Sequence, residues 1–278
     1  MQSHGTAGYA SVMNLHFLKL RVAADSWILV DRCGAHAVDT LNPADSPILQ
    51  DPAAGMPDWH HAASLACHPF RGAAARGLVL VEGKAEPYFV QSWNARGQVQ
   101  ALPPAAALCA ARWLFDTGRA AGETVALAST SGPVEILVLD SRNFGLALGN
   151  PQARAVEARL PGRFTIALQD RTVQVMLHDG AIPRRADLVT EGRDLVQVGC
   201  LARHELQLKV RGIDALEASS SAVAAASLAA FADRDCTVTI GGSRIMVQWP
   251  EEGPMFLAAA PAYCLAGDIW LDDESEAG

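Results

Sequence analysis

The chain has 278 residues and a formal net charge of −8, and 50% of its residues are hydrophobic. So apolar a composition excludes an intrinsically disordered chain, and the negative charge excludes a nucleic-acid partner because a phosphate backbone would be repelled. The six cysteines lie far apart without a Cys-x-x-Cys pair, which favours reduced thiols over a disulfide framework. At roughly 100 to 200 residues per domain, the length predicts two domains.

The sequence carries no recognisable signal for export or for a membrane. Its N-terminus lacks the basic segment and apolar run of a signal peptide, and the longest weakly polar stretch, residues 219–232, has 14 residues. A membrane span needs about 20 strongly apolar residues. We therefore expect a cytoplasmic protein without a membrane partner.

Taken in chain order, short apolar and β-branched runs separated by Gly, Asp and Pro predict a protein made mostly of strands. Strands are predicted at residues 15–22, 27–30, 77–81, 88–93, 123–128, 134–139, 164–168, 172–178, 195–198, 206–210, 236–240, 245–249 and 255–258. The first strand is expected to start at Met13, which makes residues 1–12 an extension. Residues 42–58 are predicted to be a surface loop and residues 272–278 a frayed acidic tail.

Two segments, residues 104–118 and 221–232, predict long central helices. Both are apolar nearly all round, so each helix should be enclosed by a sheet of its own. Each is followed by a loop, a strand, a turn and another strand, and this weak internal repeat predicts two similar lobes in tandem. The linker is expected near residues 129–133.

Several short segments are similar to sequence elements of one known protein family. Trp93-Asn-Ala-Arg-Gly97 resembles the family's Phe-Asn-Ala-Asp-Gly turn, Gly149-Asn-Pro-Gln152 resembles its Gly-Asn-Pro-His, and residues 75–77, Ala-Arg-Gly, look like its Ala-Asp-Gly strand. Residues 214–223, Asp-Ala-Leu-Glu-Ala-Ser-Ser-Ser-Ala-Val, lie over its Glu-Thr-x-Ala-Cys-Gly-Thr-Gly-Ala-Cys element without a gap. The segments come in the family order over residues 13–272, so the chain resembles a diverged member of the diaminopimelate epimerase-like superfamily.

The resemblance implies an α+β fold of two pseudo-symmetric lobes, each a central helix wrapped by a mostly antiparallel β-sheet or barrel. The first lobe is expected at residues 13–131, completed by a C-terminal strand at 263–274, and the second at 132–262. In the family, two helix N-termini hold the carboxylate of the substrate, and one cysteine from each lobe removes or returns a proton.

This sequence departs from the family at the cysteines. The first-lobe cysteine position is occupied by Pro103 and the second-lobe position by Val223. Neither side chain can move a proton, which excludes stereoinversion by a thiol pair at these positions and makes diaminopimelate epimerisation itself the least favoured activity. Cys109 matches a further family cysteine and is interpreted as a buried small hydrophobe.

Polar residues at the remaining family positions supply the candidate site. The resemblance puts Gln152 at the family histidine, Asp214 at the second-lobe glutamate and Asp25 at the first-turn asparagine, while Asn94 is retained. Asp214 is the best acid–base candidate because apolar neighbours could raise its pKa, although a surface loop aspartate is an equal alternative. Asp214 and Gln152 are predicted to be catalytic, and Asn94, Asp25 and Arg211 to bind substrate.

The two helix starts are predicted to differ in their affinity for anions. Pro103 and Pro104 delete two backbone donors at the first helix. Ser219, Ser220 and Ser221 are predicted to cap the second helix and to cradle a carboxylate or phosphate, with capping alone as the alternative.

The histidine cluster of His60, His61 and His68 lacks characteristic metal-ligand spacing, so neither a metal nor a cofactor is expected. The leading hypothesis is a cofactor-independent, isomerase-like enzyme of specialised metabolism. Its expected partner is a small-molecule substrate that could carry a carboxylate, and a homodimer is an option. The alternative is a catalytically silent homologue that binds a metabolite or a protein.

Overall fold

The computed structural model describes residues 13–33, 58–149, 152–154, 163–168, 171–183 and 195–271, and these contain three α-helices and seventeen β-strands. The predicted extension at residues 1–12, the loop at 42–57 and the tail at 272–278 lie outside the described residues.

Most of the predicted strands are present with similar bounds. The strands in the first half are β1 Met13–Val22, β2 Asp25–Arg32, β3 Gly77–Glu82, β4 Tyr88–Asn94, β5 Val99–Gln100, β6 Thr124–Ser129, β7 Gly132–Val138 and β8 Phe144–Leu148. Those in the second half are β9 Gln152–Arg154, β10 Arg163–Leu168, β11 Arg171–Asp179, β12 Leu195–Ala202, β13 Glu205–Arg211, β14 Asp235–Ile240, β15 Ser243–Gln248, β16 Met255–Ala259 and β17 Ala262–Leu271. The helices are α1 Trp59–Ala66, α2 Pro104–Asp116 and α3 Ala215–Leu228.

The strand pairing repeats along the chain. In the first half, β1 pairs antiparallel with β2, β2 parallel with β3, β3 antiparallel with β4, and β4 parallel with β6, after which β6, β7 and β8 follow antiparallel. The series from β10 to β16 has the same order of antiparallel and parallel pairs. This confirms the two pseudo-symmetric lobes of a mostly antiparallel α+β fold.

Each long helix lies at the centre of one half. Helix α2 packs against β1 to β4 and β6 to β8, and α3 packs against β10 to β16. Nearly every residue of α2 is buried, and α3 is buried over its first three turns. We call β1 to β8 with α2 the first lobe, and β10 to β16 with α3 the second lobe.

The lobes share one apolar core and one continuous run of strands. Strand β8 pairs with β16, the C-terminal β17 runs antiparallel to β1, and α2 contacts α3. The predicted division between residues 131 and 132 falls in the turn between β6 and β7, and it stays a prediction.

Helix α1 lies outside this repeat and was not predicted. It packs on the outer face of the first-lobe sheet, in a second apolar cluster with Ile28, Leu80 and Trp93. Asp58 caps it by accepting the N–H of His60 at 2.9 Å. Asp58 therefore belongs to the helix cap and not to the predicted surface loop. An aspartate before an alanine-rich segment is a helix-start signal.

Candidate functional site

The start of α2 has few hydrogen-bond donors. Pro103 is its N-cap residue and Pro104 its first helical residue, so two of the first four backbone N–H groups are missing. The other two belong to Ala105 and Ala106, and Pro103 gives them no capping side chain. Ala107 donates its N–H to the Pro103 carbonyl at 3.0 Å and continues the helix.

The start of α3 has the opposite character, because a carboxyl group caps it. Asp214 is the N-cap residue, and its Oδ1 accepts the N–H groups of Leu216 at 2.8 Å and Glu217 at 3.3 Å. The helix therefore begins six residues before the predicted start at residue 221. Aspartate is a preferred N-cap, and the Ala-Leu-Glu that follows favours helix, so the local sequence extends α3 to this point.

The predicted serine cap is wrong. Ser219, Ser220 and Ser221 are fully buried inside α3, so their backbone N–H groups belong to the helix. Their hydroxyl groups donate back to helix carbonyls: Ser219 to Ala215 at 2.7 Å, and the other two to Glu217 at 2.8 and 2.9 Å. The three serines therefore do not offer an anion cradle at the helix start.

Val223 also lies away from the helix start. It is buried in the second-lobe core, nine residues beyond the Asp214 cap, which is about 13 Å along an α-helix. Pro103, by contrast, is the cap residue of α2 itself. Val223 is therefore not the second-lobe counterpart of Pro103, and the residue at that place is the α3 cap, Asp214.

Asp25, the first residue of β2, occupies the start of α3 from the first lobe. Its Oδ2 accepts the N–H of Ala215 at 2.6 Å, while its Oδ1 accepts a hydrogen bond from Nη1 of Arg76 at 3.0 Å. Nη2 of Arg76 donates to the Gly212 carbonyl at 3.1 Å. The N–H groups of Ala215, Leu216 and Glu217 are thus all paired with carboxyl groups, and Ala218 donates to the Asp214 carbonyl at 2.8 Å and continues the helix.

The Asp214 carboxyl group is the most strongly perturbed acid of this region. Burial raises its pKa from 3.8 to about 7, with further increases from the charges of Asp25 and Glu217 and opposing effects from Arg76 and the Leu216 N–H. Its second oxygen, Oδ2, is buried and has no hydrogen-bond partner among the described residues. Asp214 can therefore hold or release a proton near neutral pH.

Cys109 lies in the second turn of α2, close enough for the charges of Asp214 and Asp25 to change its pKa. Burial raises the pKa of its thiol well above the usual range, and the charges of Asp214, Cys264 and Asp25 raise it further. A neutral, fully buried thiol is a poor nucleophile, in agreement with the interpretation of Cys109 as a small hydrophobe.

Comparisons with known proteins give the same family resemblance as the sequence motifs. No protein-family model matches the chain. The diaminopimelate epimerase of Xanthomonas axonopodis pv. citri is 23% identical in an alignment that covers 97% of this chain and 99% of the relative. The enzyme of the same name from Xanthomonas euvesicatoria pv. vesicatoria is also 23% identical, covering 68% of this chain and 78% of the relative.

Solved structures establish the fold. A phenazine biosynthesis PhzF family protein from Enterococcus faecalis has a TM-score of 0.62 at 10% identity, covering 93% of this chain and all of that one. A probable proline racemase from Agrobacterium radiobacter has a TM-score of 0.58 at 11% identity, covering 94% of both chains. The chain therefore shares the fold of these proteins and is similar in sequence to diaminopimelate epimerases.

Asn94 and Arg211 are the other two substrate-binding candidates that the family resemblance implies. Asn94 ends β4, and its Oδ1 accepts the N–H groups of Arg96 at 2.9 Å and Gln98 at 3.1 Å, while its Nδ2 donates to Gln98 Oε1 at 3.0 Å. These bonds build the β4–β5 turn and leave the amide little capacity for a substrate. Arg211 is exposed at the end of β13, three residues before Asp214.

Gln152 lies in β9 opposite Ala167, and its side chain falls outside the described residues. The predicted catalytic pairing of Gln152 with Asp214 therefore stays a prediction.

Arg76 is the functional candidate that the sequence analysis missed. A signal was present, because the superfamily resemblance puts Arg76 at an aspartate position and Asp25 at an asparagine position. The two changes together create an ion pair. The strand register also brings these segments together. Trp27 of β2 lies beside Gly77 of β3, the residue after Arg76, and Gly77 in turn pairs with Asn94 of β4.

The histidine cluster serves local structure. His60 Nδ1 lies 2.6 Å from the Gly97 carbonyl, and His68 Nδ1 accepts the N–H groups of Phe70 and Arg71. Over the part of the chain that the structure describes, no group of three or more His, Cys, Asp or Glu residues could hold a metal ion. None of the described helices is long and apolar enough to cross a membrane.

Proposed function

We propose that the chain is a cofactor-independent, isomerase-like enzyme that transfers a proton within a small-molecule substrate, with Asp214 as the proton carrier. One observation supports this proposal above all: a carboxyl group is buried between two lobes with one oxygen unpaired and a pKa raised to about 7. General acids and bases work best when their pKa lies near the working pH. The names of the structural neighbours, which include a proline racemase and a methylitaconate-delta-isomerase, are those of enzymes whose reactions move protons.

The sequence at the two helix starts favours a particular kind of proton transfer. Residues 103–107 and 214–218 contain no cysteine, and Asp214 and Glu217 are the acid–base side chains among them. Inversion of a carbon centre needs two groups on opposite faces of the substrate. A single carboxyl group can instead remove a proton from one carbon, exchange it with solvent, and deliver a proton to another carbon on the same face, which is an isomerisation.

The hydrogen-bond donors at the two helix starts also favour one position for the carboxylate of a substrate. At α3 the N–H groups of Ala215, Leu216 and Glu217 are already paired, whereas at α2 the N–H groups of Ala105 and Ala106 receive no capping side chain. Helix N-termini favour anions because of these donors and the helix dipole. We therefore place the charged end of a carboxylate-bearing substrate at α2, with the exposed Arg211 as a further candidate cation.

Solvent deuterium exchange tests this proposal. Unsaturated and α-chiral carboxylic acids are incubated with the protein in D2O, and deuterium incorporation is followed by NMR for wild type and Asp214→Asn. Asparagine caps helices as well as aspartate does, so the fold is kept while the proton carrier is lost, and exchange should fall by about 100-fold. Asp235→Asn, at an exposed position, is the matched control. Equal exchange in wild type and Asp214→Asn would remove Asp214 from the reaction.

A catalytically silent homologue is the second candidate, and a specific observation favours it. The α3 start is filled by the chain's own carboxylates, and α2 has lost two donors to proline. This candidate predicts saturable binding of a metabolite or a protein that is released unchanged, with no exchange for any substrate. A cytoplasmic location, a role in specialised metabolism and a homodimer also stay predictions.

A further inference from the structure

Two hydrogen bonds of opposite direction cross between the lobes beside Asp214. Nη2 of Arg76, in the first lobe, donates to the Gly212 carbonyl of the second lobe at 3.1 Å. The N–H of Ala215, in the second lobe, donates to Asp25 Oδ2 of the first lobe at 2.6 Å. The 3.0 Å ion pair between Arg76 and Asp25 closes the arrangement into a ring.

The backbone fixes both first-lobe members of this ring. Asp25 starts β2, and Arg76 immediately precedes β3, which runs parallel to β2, so the two residues start neighbouring strands at one end of the sheet. The N–H of Arg76 donates to the Ser26 carbonyl at 2.8 Å. On the other side, Gly212 has a φ of +83°, which only glycine adopts readily, and this turn connects β13 to the α3 cap.

The ring brings two carboxyl groups to one helix start. Asp25 and Asp214 accept hydrogen bonds from the adjacent residues Ala215 and Leu216, so the two groups lie side by side. Only Asp25 pairs with the guanidinium group. The charge of Asp25 raises the pKa of Asp214, because two neighbouring carboxyl groups do not both ionise readily.

We propose that Arg76 and Asp25 form a clasp between the lobes, and that this clasp positions the Asp214 carboxyl group, with the charges of Asp25 and Arg76 acting on it in opposite directions. Arg76 is then a positioning residue, which acts on Asp214 through Asp25. Its effect on turnover rests on the proposed function, whereas the clasp itself does not.

Charged and titratable groups from several elements act on Asp214 or on its neighbour Cys109. They are Asp25 of β2, Arg76 before β3 and Glu217 of α3, with Cys264 of β17 acting on Cys109 of α2. Among these groups Arg76 is the cation, so its removal and the removal of Asp25 should have opposite effects on Asp214.

The test follows the Asp214 carboxyl signal by 13C NMR in the full-length, substrate-free protein, with Asp214→Asn to assign it. Asp25→Asn removes the neighbouring negative charge and should lower the Asp214 titration midpoint by about one pH unit or more. Arg76→Met removes the cation and should raise the midpoint. Shifts of the same sign, or no shift in either variant, would overturn the proposal.

The ion pair between Arg119 and Asp31 supplies a matched control. It has the same 3.0 Å separation and uses the same strand, β2, but its described contacts stay within the first lobe. Arg119→Met should leave the Asp214 midpoint unchanged. A shift as large as that of Arg76→Met would show a general charge effect and would contradict the clasp.

Amide hydrogen exchange at Ala215 reports the clasp directly. Arg76→Met should reduce its protection by about tenfold or more, because the Asp25 carboxyl group stays beside the helix but loses the guanidinium group that orients it towards the Ala215 N–H. Arg76→Lys keeps the charge but cannot bridge Asp25 and Gly212 together, so it should keep the midpoint near that of wild type while still losing protection at Ala215. Full protection in Arg76→Lys and Arg76→Met would contradict the clasp even if Asp214 proved to be the proton carrier. Conversely, unchanged deuterium exchange in Asp214→Asn would remove the enzyme proposal and leave the clasp intact.

Discussion

The two lobes repeat one order of strand pairing around one central helix, yet their helix starts are built from different chemistry. At α2, Pro103 and Pro104 remove two donors and no side chain caps the others. At α3, all donors are present, and Asp214 and Asp25 occupy them. An anion site of the kind that the superfamily resemblance implies has thus been altered in two unrelated ways. The repeated strand pairing fixes where each central helix begins. The chemistry of the helix start depends on a few side chains that can change without disturbing the core.

The largest expected difference between the two helix starts is a pH dependence of the free energy of unfolding, which originates from Asp214 at the start of α3. The pKa of Asp214 is raised from 3.8 to about 7, so between about pH 4 and pH 7 the folded chain holds a proton that the unfolded chain has lost. This contribution is fully present below pH 4 and is lost as pH rises through 7. Its slope is up to about 1.4 kcal/mol per pH unit, which gives a few kcal/mol in total.

Urea unfolding of wild type and Asp214→Asn across this window measures the effect. The free energy of unfolding of wild type should fall relative to that of the variant as pH rises. A difference that stays constant with pH would contradict a protonated, buried Asp214.

Removal of the α3 cap should have the next largest effect. Asp214→Ala leaves the N–H groups of Leu216 and Glu217 without their acceptor and should lower the free energy of unfolding by about 1–2 kcal/mol, whereas Asp214→Asn keeps an acceptor. The comparison is made by chemical denaturation at a pH where wild-type Asp214 is protonated. Equal stability of the alanine and asparagine variants would mean that the cap contributes nothing.

A cap can also be introduced at α2, with a smaller expected effect. Pro103 has extended backbone angles, with φ −69° and ψ 148°, which suit a capping serine. In Pro103→Ser the new cap should stabilise the helix, but loss of the proline ring makes the unfolded chain more flexible, so the net change should stay near 0.5 kcal/mol. A loss of several kcal/mol, measured by thermal unfolding, would show that Pro103 supports packing between the lobes rather than the helix start alone.

The smallest effect is expected inside α3. Ser219→Ala removes a hydroxyl group whose described bond is to a helix carbonyl, and alanine favours helix, so stability should change by only a few tenths of a kcal/mol. Phosphate should shift the melting temperature of wild type and variant equally. If phosphate raised the melting temperature of wild type but not of Ser219→Ala, the predicted anion cradle would be correct.

Particular residues show how far the sequence could predict this site. Asp214 was identified as an acid–base candidate because it aligns with a family carboxylate and has apolar neighbours, and the structure buries it. The serines were assigned to the cap because three consecutive hydroxyl residues resemble a helix start. Asp214 competes for the same role, and which cap is used depends on where the backbone leaves β13.

Other features could not be predicted because they depend on distant parts of the chain. Arg76 acquires a role only through Asp25, which is 51 residues away. Helix α1 has eight residues, too few for a reliable periodic pattern, and it is stabilised by packing on the outer face of the first-lobe sheet.

By itself the sequence determined the two central helices, the strands that enclose them and the loss of donors at Pro103 and Pro104. These are local properties, since apolar periodicity, turn residues and the missing N–H of proline act over a few residues. The tertiary structure alone decided which helix start keeps open donors and which carboxyl group holds a proton. Those outcomes depend on a hydrogen bond between Asp25 and Ala215, which are 190 residues apart and meet only when the lobes pack together.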